Sequence, residues 1–175
     1  GKGPVFASTR FGNVLGSNGS VIPIFHNQIA KGGPITLTDR NMTRFVMSIE
    51  DSVQLVIDSA CIAQGGEVFI TKMPVIRIED LAKAMIQELA PHYGYLPEAI
   101  DIIEIGSKPG EKLYEELMSD EETRRAIELN DYFSVMPAFR GIYNDIPYDY
   151  HGILNKKINN PYISANETSM TTDNV

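Results

Sequence analysis

Residues 8–23 read Ser-Thr-Arg-Phe-Gly-Asn-Val-Leu-Gly-Ser-Asn-Gly-Ser-Val-Ile-Pro. This stretch starts as a short strand, continues as a loop of Gly, Asn and Ser, and enters a helix with Ser20 as N-cap and Pro23 in the first turn. The N-terminus of a helix carries unpaired N–H groups and a partial positive charge, and small loop residues let an anion approach them. The stretch therefore predicts a phosphate site at the start of this helix.

Predicted strands and helices alternate along the rest of the chain, which is typical of an α/β fold with some parallel pairing. Apolar residues at helical spacing predict helices at 21–31, from Ser48 to the glycines at 65–66, and at 78–90. Ser48 followed by Asp51 resembles a capping box at the start of the second of these helices. A short helix is also expected at 111–118, and a capping box at 119–122 predicts a further helix that runs to about Leu129. Short strands are predicted at 5–9, 35–38, 43–47, 68–70, 100–105 and 132–136.

The domain organisation follows from where this pattern fades. After Tyr143 the sequence turns to Tyr, Asn, Pro and Ser, so we expect an α/β domain over residues 1–150 and an irregular or partly disordered tail over 151–175. The chain starts inside the strand–loop–helix unit. We therefore interpret it as the second half of a larger enzyme, with a Rossmann-type N-terminal half outside these residues.

Composition excludes several classes of function. The net charge of −8 repels nucleic acid, so a nucleic-acid partner is not expected. The single cysteine, Cys61, excludes an internal disulfide and fits a reducing compartment, and its apolar neighbours predict a buried core thiol. No apolar run approaches the ~18 residues that a membrane span needs, and no signal peptide is visible. We expect a cytoplasmic protein with no membrane segment in this chain.

Motifs for catalysis and for cofactor binding are missing from the sequence. It contains no Gly-x-Gly-x-x-Gly loop and no Tyr followed four residues later by Lys. The histidines at 26, 92 and 151 are isolated, and no Cys/His/carboxylate cluster has metal spacing. We therefore predict no catalytic residue and no metal ligand within this chain.

Arg44 is a candidate anion-binding residue, because it follows a turn and precedes a strand that leads into a helix. The planar fork of an arginine makes two parallel charge-assisted bonds to a diphosphate. The alternative is a surface arginine that pairs with Asp39 or Asp51, and spacing alone favours this alternative.

The loop at 108–111 and two small polar residues add weaker signals. Lys108-Pro109-Gly110-Glu111 combines a cation for phosphate with a carboxylate for a ribose diol, although a turn before a helix would explain it equally. Asn13 and Ser20 are candidate neutral donors to sugar or phosphate oxygens. Turn and cap chemistry accounts for them as well.

Three linked motifs occur in this order over about residues 3–150. They are Arg10-x-Gly12-Asn13-Val14-x-Gly16-Ser17-x-Gly19-Ser20-Val21-Ile22-Pro23, then Asp39-x-x-Met42-Thr43-Arg44-Phe45, then Lys108-Pro109-Gly110-Glu111-Lys112-Leu113. Together they resemble the CapD-type nucleotide-sugar 4,6-dehydratases, which are polysaccharide-biosynthesis members of the extended short-chain dehydrogenase/reductase family. The resemblance is greatest to UDP-N-acetylglucosamine 4,6-dehydratases.

The resemblance implies a lyase that feeds surface polysaccharide synthesis. Such enzymes bind NAD or NADP on an N-terminal Rossmann half and a UDP-sugar on a C-terminal half. They oxidise the sugar at C4, remove water across C5 and C6, and return the hydride to C6. Since the cofactor loop and the catalytic Tyr/Lys pair belong to the N-terminal half, we expect this chain alone to bind substrate without turnover. Unpaired strand edges also predict a homo-oligomer.

The resemblance further implies two groups of binding residues. The sugar-nucleotide group is Asn13, Ser20, Val21, Ile35, Leu37, Met42, Arg44, Lys108 and Glu111. The group near the nicotinamide is Phe11 and Val14. Arg44 and Lys108 would grip the diphosphate, and Glu111 would accept from the ribose. Lysine at 108 keeps the charge of the arginine often found there but loses its two-pronged geometry.

Two other functions stay open at this stage. One is a sugar-nucleotide epimerase of the same superfamily, because the residues that separate the two enzymes belong to the N-terminal half. The other is a non-enzymatic module for sugar-nucleotide binding or oligomerisation.

Overall fold

The computed structural model describes residues 3–17, 20–107, 109–139, 141–143 and 145–171. The chain divides into two compact units that alternate along the sequence. The first unit contains Gly1–Gly12, Met47–Met73 and Glu116–Ile163, and the second contains Asn13–Val46, Pro74–Glu115 and Ser164–Val175. Among the described residues, no helix has both the length and the apolar character that crossing a membrane requires.

In the described part of the chain, the two units contain short strands and four α-helices. The strands are β1 (Ser8–Arg10), β2 (Asn13–Val14), β3 (Ile35–Leu37), β4 (Thr43–Met47), β5 (Val68–Thr71), β6 (Val75–Arg77), β7 (Ile102–Glu104), β8 (Glu116–Met118), β9 (Ala126–Leu129), β10 (Tyr132–Val135), β11 (Ile153–Asn155) and β12 (Tyr162–Ile163). The helices are α1 (Val21–Ala30), α2 (Ile49–Ile62), α3 (Ile78–Leu89) and α4 (Asp120–Thr123). Turns of 3-10 helix lie at Pro91–Tyr93, Pro97–Ala99 and Gly141–Tyr143.

The first unit is built on a five-stranded sheet in the order β1-β5-β10-β9-β11. β1 and β5 are parallel, and the remaining pairs are antiparallel. Phe69 and Ile70 in β5 are fully buried, as expected for a strand with a neighbour on each side. β8 and β12 form a separate antiparallel pair.

Helix α2 contacts β1 and β5 in this unit. Its predicted capping box is confirmed, since Ser48 Oγ accepts from the Asp51 N–H at 3.0 Å and Asp51 Oδ2 accepts from the Ser48 N–H at 3.1 Å. The helix buries Leu55 and Ser59. The prediction of a buried Cys61 was wrong, because two residues turn the helix by about 200° from Ser59 and place the thiol on the exposed side.

The second unit combines the three-stranded sheet β2-β4-β6 with the parallel pair β3-β7. Helices α1 and α3 pack against each other, and both contact β3. The apolar residues whose spacing predicted the two helices face this core. The buried apolar residues of the unit's core are Phe25, Ile29, Ile35, Leu37, Met42, Val46, Ile76, Ile78, Leu81, Ala82, Ile86, Ala90 and Ile100.

Two predicted helices are wrong, and both lie in stretches that pair as strands. Residues 116–118 form β8 against β12 instead of ending a helix. The capping box of Ser119 and Glu122 does form, but α4 ends at Thr123, and residues 126–129 continue as β9 between β10 and β11. A one-turn helix has little stability of its own, so pairing with neighbouring strands determines the conformation of the residues that follow it.

The expected domain boundary at residue 150 stays a prediction. Of the expected tail, residues 151–171 are described, and they include β11 and β12 in the first unit. In the second unit, the Met170 N–H donates to the Val75 carbonyl at 2.8 Å, and Ser164 is fully buried. The described end of the chain therefore contributes to the cores of both units.

Candidate functional site

The second unit contains a cavity of about 510 Å³. Its wall comes from the loop after β2, the first turns of α1, strands β3 and β4, and the start of α3. A volume of this size is typical of sites for small organic ligands. The cavity opens beside the strand–loop–helix stretch that predicted an anion site.

Most of the predicted sugar-nucleotide residues line this cavity. They are Asn13, Ser20, Val21, Leu37, Met42, Arg44 and Glu111. Ile35 does not line the cavity, and its side chain is fully buried in the core of the unit. Lys108 lies outside the described residues. Their roles as ligand contacts stay predictions.

The two residues predicted to lie near a nicotinamide occupy different units. Val14 is half-buried and lines the cavity in the second unit. Phe11 belongs to the first unit, where its side chain is 42% exposed. The assignment of both residues to a cofactor stays a prediction.

The start of α1 has the features of an anion site. Ser20 occupies the N-cap position with an extended backbone, but its side chain makes no capping hydrogen bond. Its Oγ is buried and has no hydrogen-bond partner among the described residues. The first turn of α1 contains no acidic residue to offset its partial positive charge. Since buried hydroxyls in folded proteins are nearly always hydrogen-bonded, a ligand oxygen is a natural partner here.

Arg44 brings a positive charge to the same cavity. Its Nη1 donates to the Thr43 carbonyl at 2.8 Å, and its Nη2 donates to the Lys112 carbonyl at 2.7 Å. Its Nε lies 3.8 Å from Glu115 Oε1, and its side chain is 14% exposed. The alternative of a surface pair with Asp39 or Asp51 is therefore wrong. The two hydrogen bonds use two of the five guanidinium N–H groups, which leaves donors for a ligand.

Glu115 is a residue that sequence reasoning missed. The Asn13 amide is assigned with its nitrogen toward this carboxylate, because in the opposite orientation its oxygen would face only acceptors. Asn13 Nδ2 then donates to Glu115 Oε1 at 2.6 Å and to Oε2 at 3.1 Å. Burial raises the pKa of Glu115, against the opposing effect of the Arg44 and Lys112 charges. No local signal distinguishes Glu115 from its acidic neighbours, since Asn13 lies far away in sequence.

Ser164 was missed for the same reason. Its Oγ lies 2.9 Å from Thr43 Oγ1 and accepts from the Glu115 N–H at 2.9 Å. Its own N–H donates to the Glu115 carbonyl at 2.9 Å. This single, fully buried serine thus fixes the end of the 109–115 segment against β4, the strand that contains Arg44.

Glu111 lies at the exposed rim of the cavity. Its Oε1 accepts from Thr38 Oγ1 at 3.1 Å, which orients the carboxylate beside the end of β3. Among the described residues that line the cavity, Glu111 and Arg44 are the charged ones. The site therefore offers a cation, a helix N-terminus, a carboxylate rim and apolar walls, which suit an anionic ligand with hydroxyl groups.

Arg10, from the first of the three motifs, has a structural contact in the first unit. Its two terminal nitrogens donate to Glu122 Oε2 and Oε1, each at 2.9 Å, and Nη1 also donates to the Leu117 carbonyl at 2.5 Å. Mainly through this two-pronged pair, and with hydrogen bonds from Ser119, the pKa of Glu122 is lowered to about 2.

Residues 2–137 match the family described as "Polysaccharide biosynthesis protein". The chain belongs to this family. Within the polysaccharide biosynthesis family, it corresponds to a C-terminal part of the CapD-type extended short-chain dehydrogenases/reductases, as the three motifs predicted.

Curated relatives of this family are much longer than the chain. An uncharacterized membrane protein of Methanocaldococcus jannaschii is 56% identical over 75% of the chain and 40% of its own length. The capsular polysaccharide biosynthesis protein CapD of Staphylococcus aureus is 50% identical over 67% of the chain and 19% of its own length. A UDP-glucose 4-epimerase of Rickettsia massiliae is 38% identical over 98% of the chain and 48% of its own length. The chain thus spans less than half of each relative.

A solved structure supports the fold assignment. The X-ray structure of Pen from Bacillus thuringiensis shares 43% sequence identity and a TM-score of 0.82, over 97% of this chain and 47% of that protein. The predicted fold class, a mixed α/β portion of a Rossmann-type extended short-chain dehydrogenase/reductase, is confirmed.

Proposed function

We propose that the chain is the sugar-nucleotide-binding half of a UDP-N-acetylglucosamine 4,6-dehydratase in surface polysaccharide biosynthesis. The observation that carries this proposal is the second-unit cavity. An unpartnered buried hydroxyl at the start of α1 and the guanidinium of Arg44 both line this cavity. The membership in the polysaccharide biosynthesis family and the similarity to CapD support the same assignment.

Each wall of the cavity suits one part of a UDP-sugar. Arg44 and the start of α1 would hold the diphosphate, since both favour a doubly charged anion. Glu111 at the rim would accept from the ribose hydroxyls. Leu37 and Met42 supply apolar surface for the base and the sugar. Lys108, outside the described residues, is proposed as the second cation on the diphosphate.

The role of this chain in the reaction is to bind and orient the substrate. NAD or NADP in the parent protein would take the hydride from C4 and return it to C6 after water is lost across C5 and C6. The sequence has no glycine-rich dinucleotide loop, so we propose that the cofactor is held mainly by residues outside this chain, with Val14 as an apolar contact. The chain alone would then bind without turnover. We also propose that the protein is cytoplasmic and forms a homo-oligomer. Light scattering tests the oligomeric state.

The test is a calorimetric titration of the chain with UDP-N-acetylglucosamine, UDP and GDP-mannose. We expect selective binding of the two uridine compounds, and an Arg44→Ala variant should bind them about tenfold more weakly, as for the loss of one charge-assisted contact. Arg77→Ala is the matched control, because it removes a cation from the same unit that does not line the cavity. Equal binding by Arg44→Ala and the unmodified chain would contradict the proposed site.

A UDP-sugar 4-epimerase is the second candidate, favoured by a specific observation. The Rickettsia massiliae UDP-glucose 4-epimerase aligns over 98% of the chain, further along it than CapD does. Mass spectrometry of the product made by the full-length parent separates the two activities. A 4,6-dehydratase removes the mass of one water from UDP-N-acetylglucosamine, whereas an epimerase leaves the mass of the sugar unchanged.

A further inference from the structure

Glu115 has no role as a ligand contact in the proposed function. Its carboxylate nevertheless lies against two residues that do, Asn13 and Arg44. It does not line the cavity, and its side chain is 27% exposed. On one side it accepts from the Asn13 amide at 2.6 and 3.1 Å, and on the other it lies 3.8 Å from Arg44 Nε. We propose that Glu115 is a positioning residue, which fixes the Asn13 amide and the Arg44 guanidinium in the orientation that meets the nucleotide sugar.

The contact with Asn13 decides which end of that amide faces away from the carboxylate. Since the nitrogen donates to Glu115, the other end of the amide is its oxygen, an acceptor. The sequence had suggested Asn13 as a donor to sugar or phosphate oxygens. With Glu115 in place, Asn13 instead suits a hydroxyl or amide N–H of the sugar, and the diphosphate is left to Arg44 and the start of α1.

The contact with Arg44 adds a third anchor to its guanidinium. The Thr43 and Lys112 carbonyls hold the two terminal nitrogens, and the Glu115 carboxylate faces Nε. A long cationic side chain loses considerable freedom when it binds a ligand. An arginine that is already held in place loses less, so Glu115 strengthens binding by preorganising Arg44.

The charge of Glu115 makes this positioning sensitive to pH. The charged groups that act on the carboxylate are Arg44 and Lys112, which favour its ionised form, whereas burial opposes that form and raises the pKa above the ordinary range. A protonated Glu115 no longer attracts Arg44. The affinity for ligand therefore falls as acidification protonates this residue.

The backbone around Glu115 is held independently of its side chain. Its N–H donates to Ser164 Oγ and its carbonyl accepts from the Ser164 N–H, each at 2.9 Å. Glu115→Gln keeps these bonds and keeps an acceptor for Asn13, but it removes the charge that faces Arg44. Glu115→Ala removes the contacts with Asn13 and Arg44, and also the hydrogen bond that the carboxylate accepts from the Phe45 backbone. Glu116→Gln is the matched control, since this neighbouring carboxylate is exposed.

Two measurements on these variants test the proposal, which rests on the proposed function. The first is calorimetric affinity for UDP-N-acetylglucosamine from neutral pH downward, with thermal unfolding as a check of the fold. We expect about tenfold weaker binding for Glu115→Gln at neutral pH, a larger loss for Glu115→Ala, and no change for Glu116→Gln. On acidification, the affinity of the unmodified chain should fall until it equals that of Glu115→Gln. The affinity of Glu115→Gln should show no such fall, because a glutamine has no carboxylate to protonate.

The second measurement needs no ligand and separates this proposal from the proposed function. In NMR spectra of the ligand-free chain, the Asn13 side-chain amide and the Arg44 Nε–H signals should shift with acidification, and Glu115→Gln should abolish this shift. If no uridine compound binds but these signals titrate, the proposed function fails while Glu115 still orients both side chains. Signals that do not depend on Glu115, or a Glu115→Gln variant that binds as tightly as the unmodified chain, would overturn the proposal.

Discussion

The ion pair between Arg10 and Glu122 is expected to stabilise the first unit by an amount that can be calculated from the structure. Glu122→Gln would replace two charge-assisted bonds of 2.9 Å with weaker neutral contacts. A glutamine at this position still serves the capping box with Ser119, so the start of α4 is preserved. The substitution therefore tests the charge of Glu122, which faces Arg10 and also lies 3.7 Å from Arg125 Nη2.

The magnitude follows from the pKa of Glu122. Lowering that pKa from an ordinary 4.5 to about 2 corresponds to about 3 kcal/mol of folding free energy at neutral pH. The Arg10 side chain is 35% exposed, so solvent screening reduces the value to about 1–2 kcal/mol. Because the pKa is lowered in the folded state, this stability is present above the unfolded value of 4.5 and is lost as the pH falls toward 2.

Urea unfolding followed by circular dichroism measures this contribution. At neutral pH we expect Glu122→Gln to lower the free energy of unfolding by about 1–2 kcal/mol, and by less at about pH 3. Glu121→Gln is the control, because Glu121 pairs with Arg125 while 64% exposed and should contribute below about 0.5 kcal/mol. A deficit for Glu122→Gln that does not change with pH, or an equal deficit for Glu121→Gln, would refute the reasoning.

Two further predictions concern single buried contacts. Ser164→Ala leaves Thr43 and the Glu115 N–H without their buried partner, so urea unfolding should show a loss of about 1–3 kcal/mol; an unchanged midpoint would contradict the structural role of Ser164. Gly66→Ala would place a Cβ 2.7 Å from the Tyr143 ring at a φ of +82°, and should lower the thermal midpoint clearly more than Gly94→Ala, which has a similar φ of +79° but open space around it.

Helices were predictable from the sequence because their signals are local. Apolar spacing placed α1 and α3 to within a residue of their observed ends, and the Ser48 capping box placed the start of α2. The two wrong helices lie where distant strands decide the structure. β8 pairs with a strand more than 40 residues later, and β9 is fixed between β10 and β11. A local pattern carries no information about such partners.

In the candidate site, too, the residues within local motifs were predictable, and the residues fixed by distant contacts were not. Three short motifs pointed to Asn13, Ser20, Arg44 and Glu111, and the structure brings these four residues to one cavity. The residues that support them were not predictable in this way. Thr43 and Ser164 meet across 121 positions, and no sequence motif links Glu115 to Asn13.

The proposed role of Glu115 makes the affinity of the cavity depend on residues outside its lining. The second unit is assembled from three separate stretches of chain, and the described residues that line the cavity come from the first two. The third contributes Ser164, which fixes the backbone of Glu115, and Glu115 in turn faces Arg44 and Asn13. A relative with the three motifs but a different residue at 115 would keep the contact groups and lose their orientation. Motif matching alone would assign both proteins the same affinity, whereas the geometry predicts that they differ.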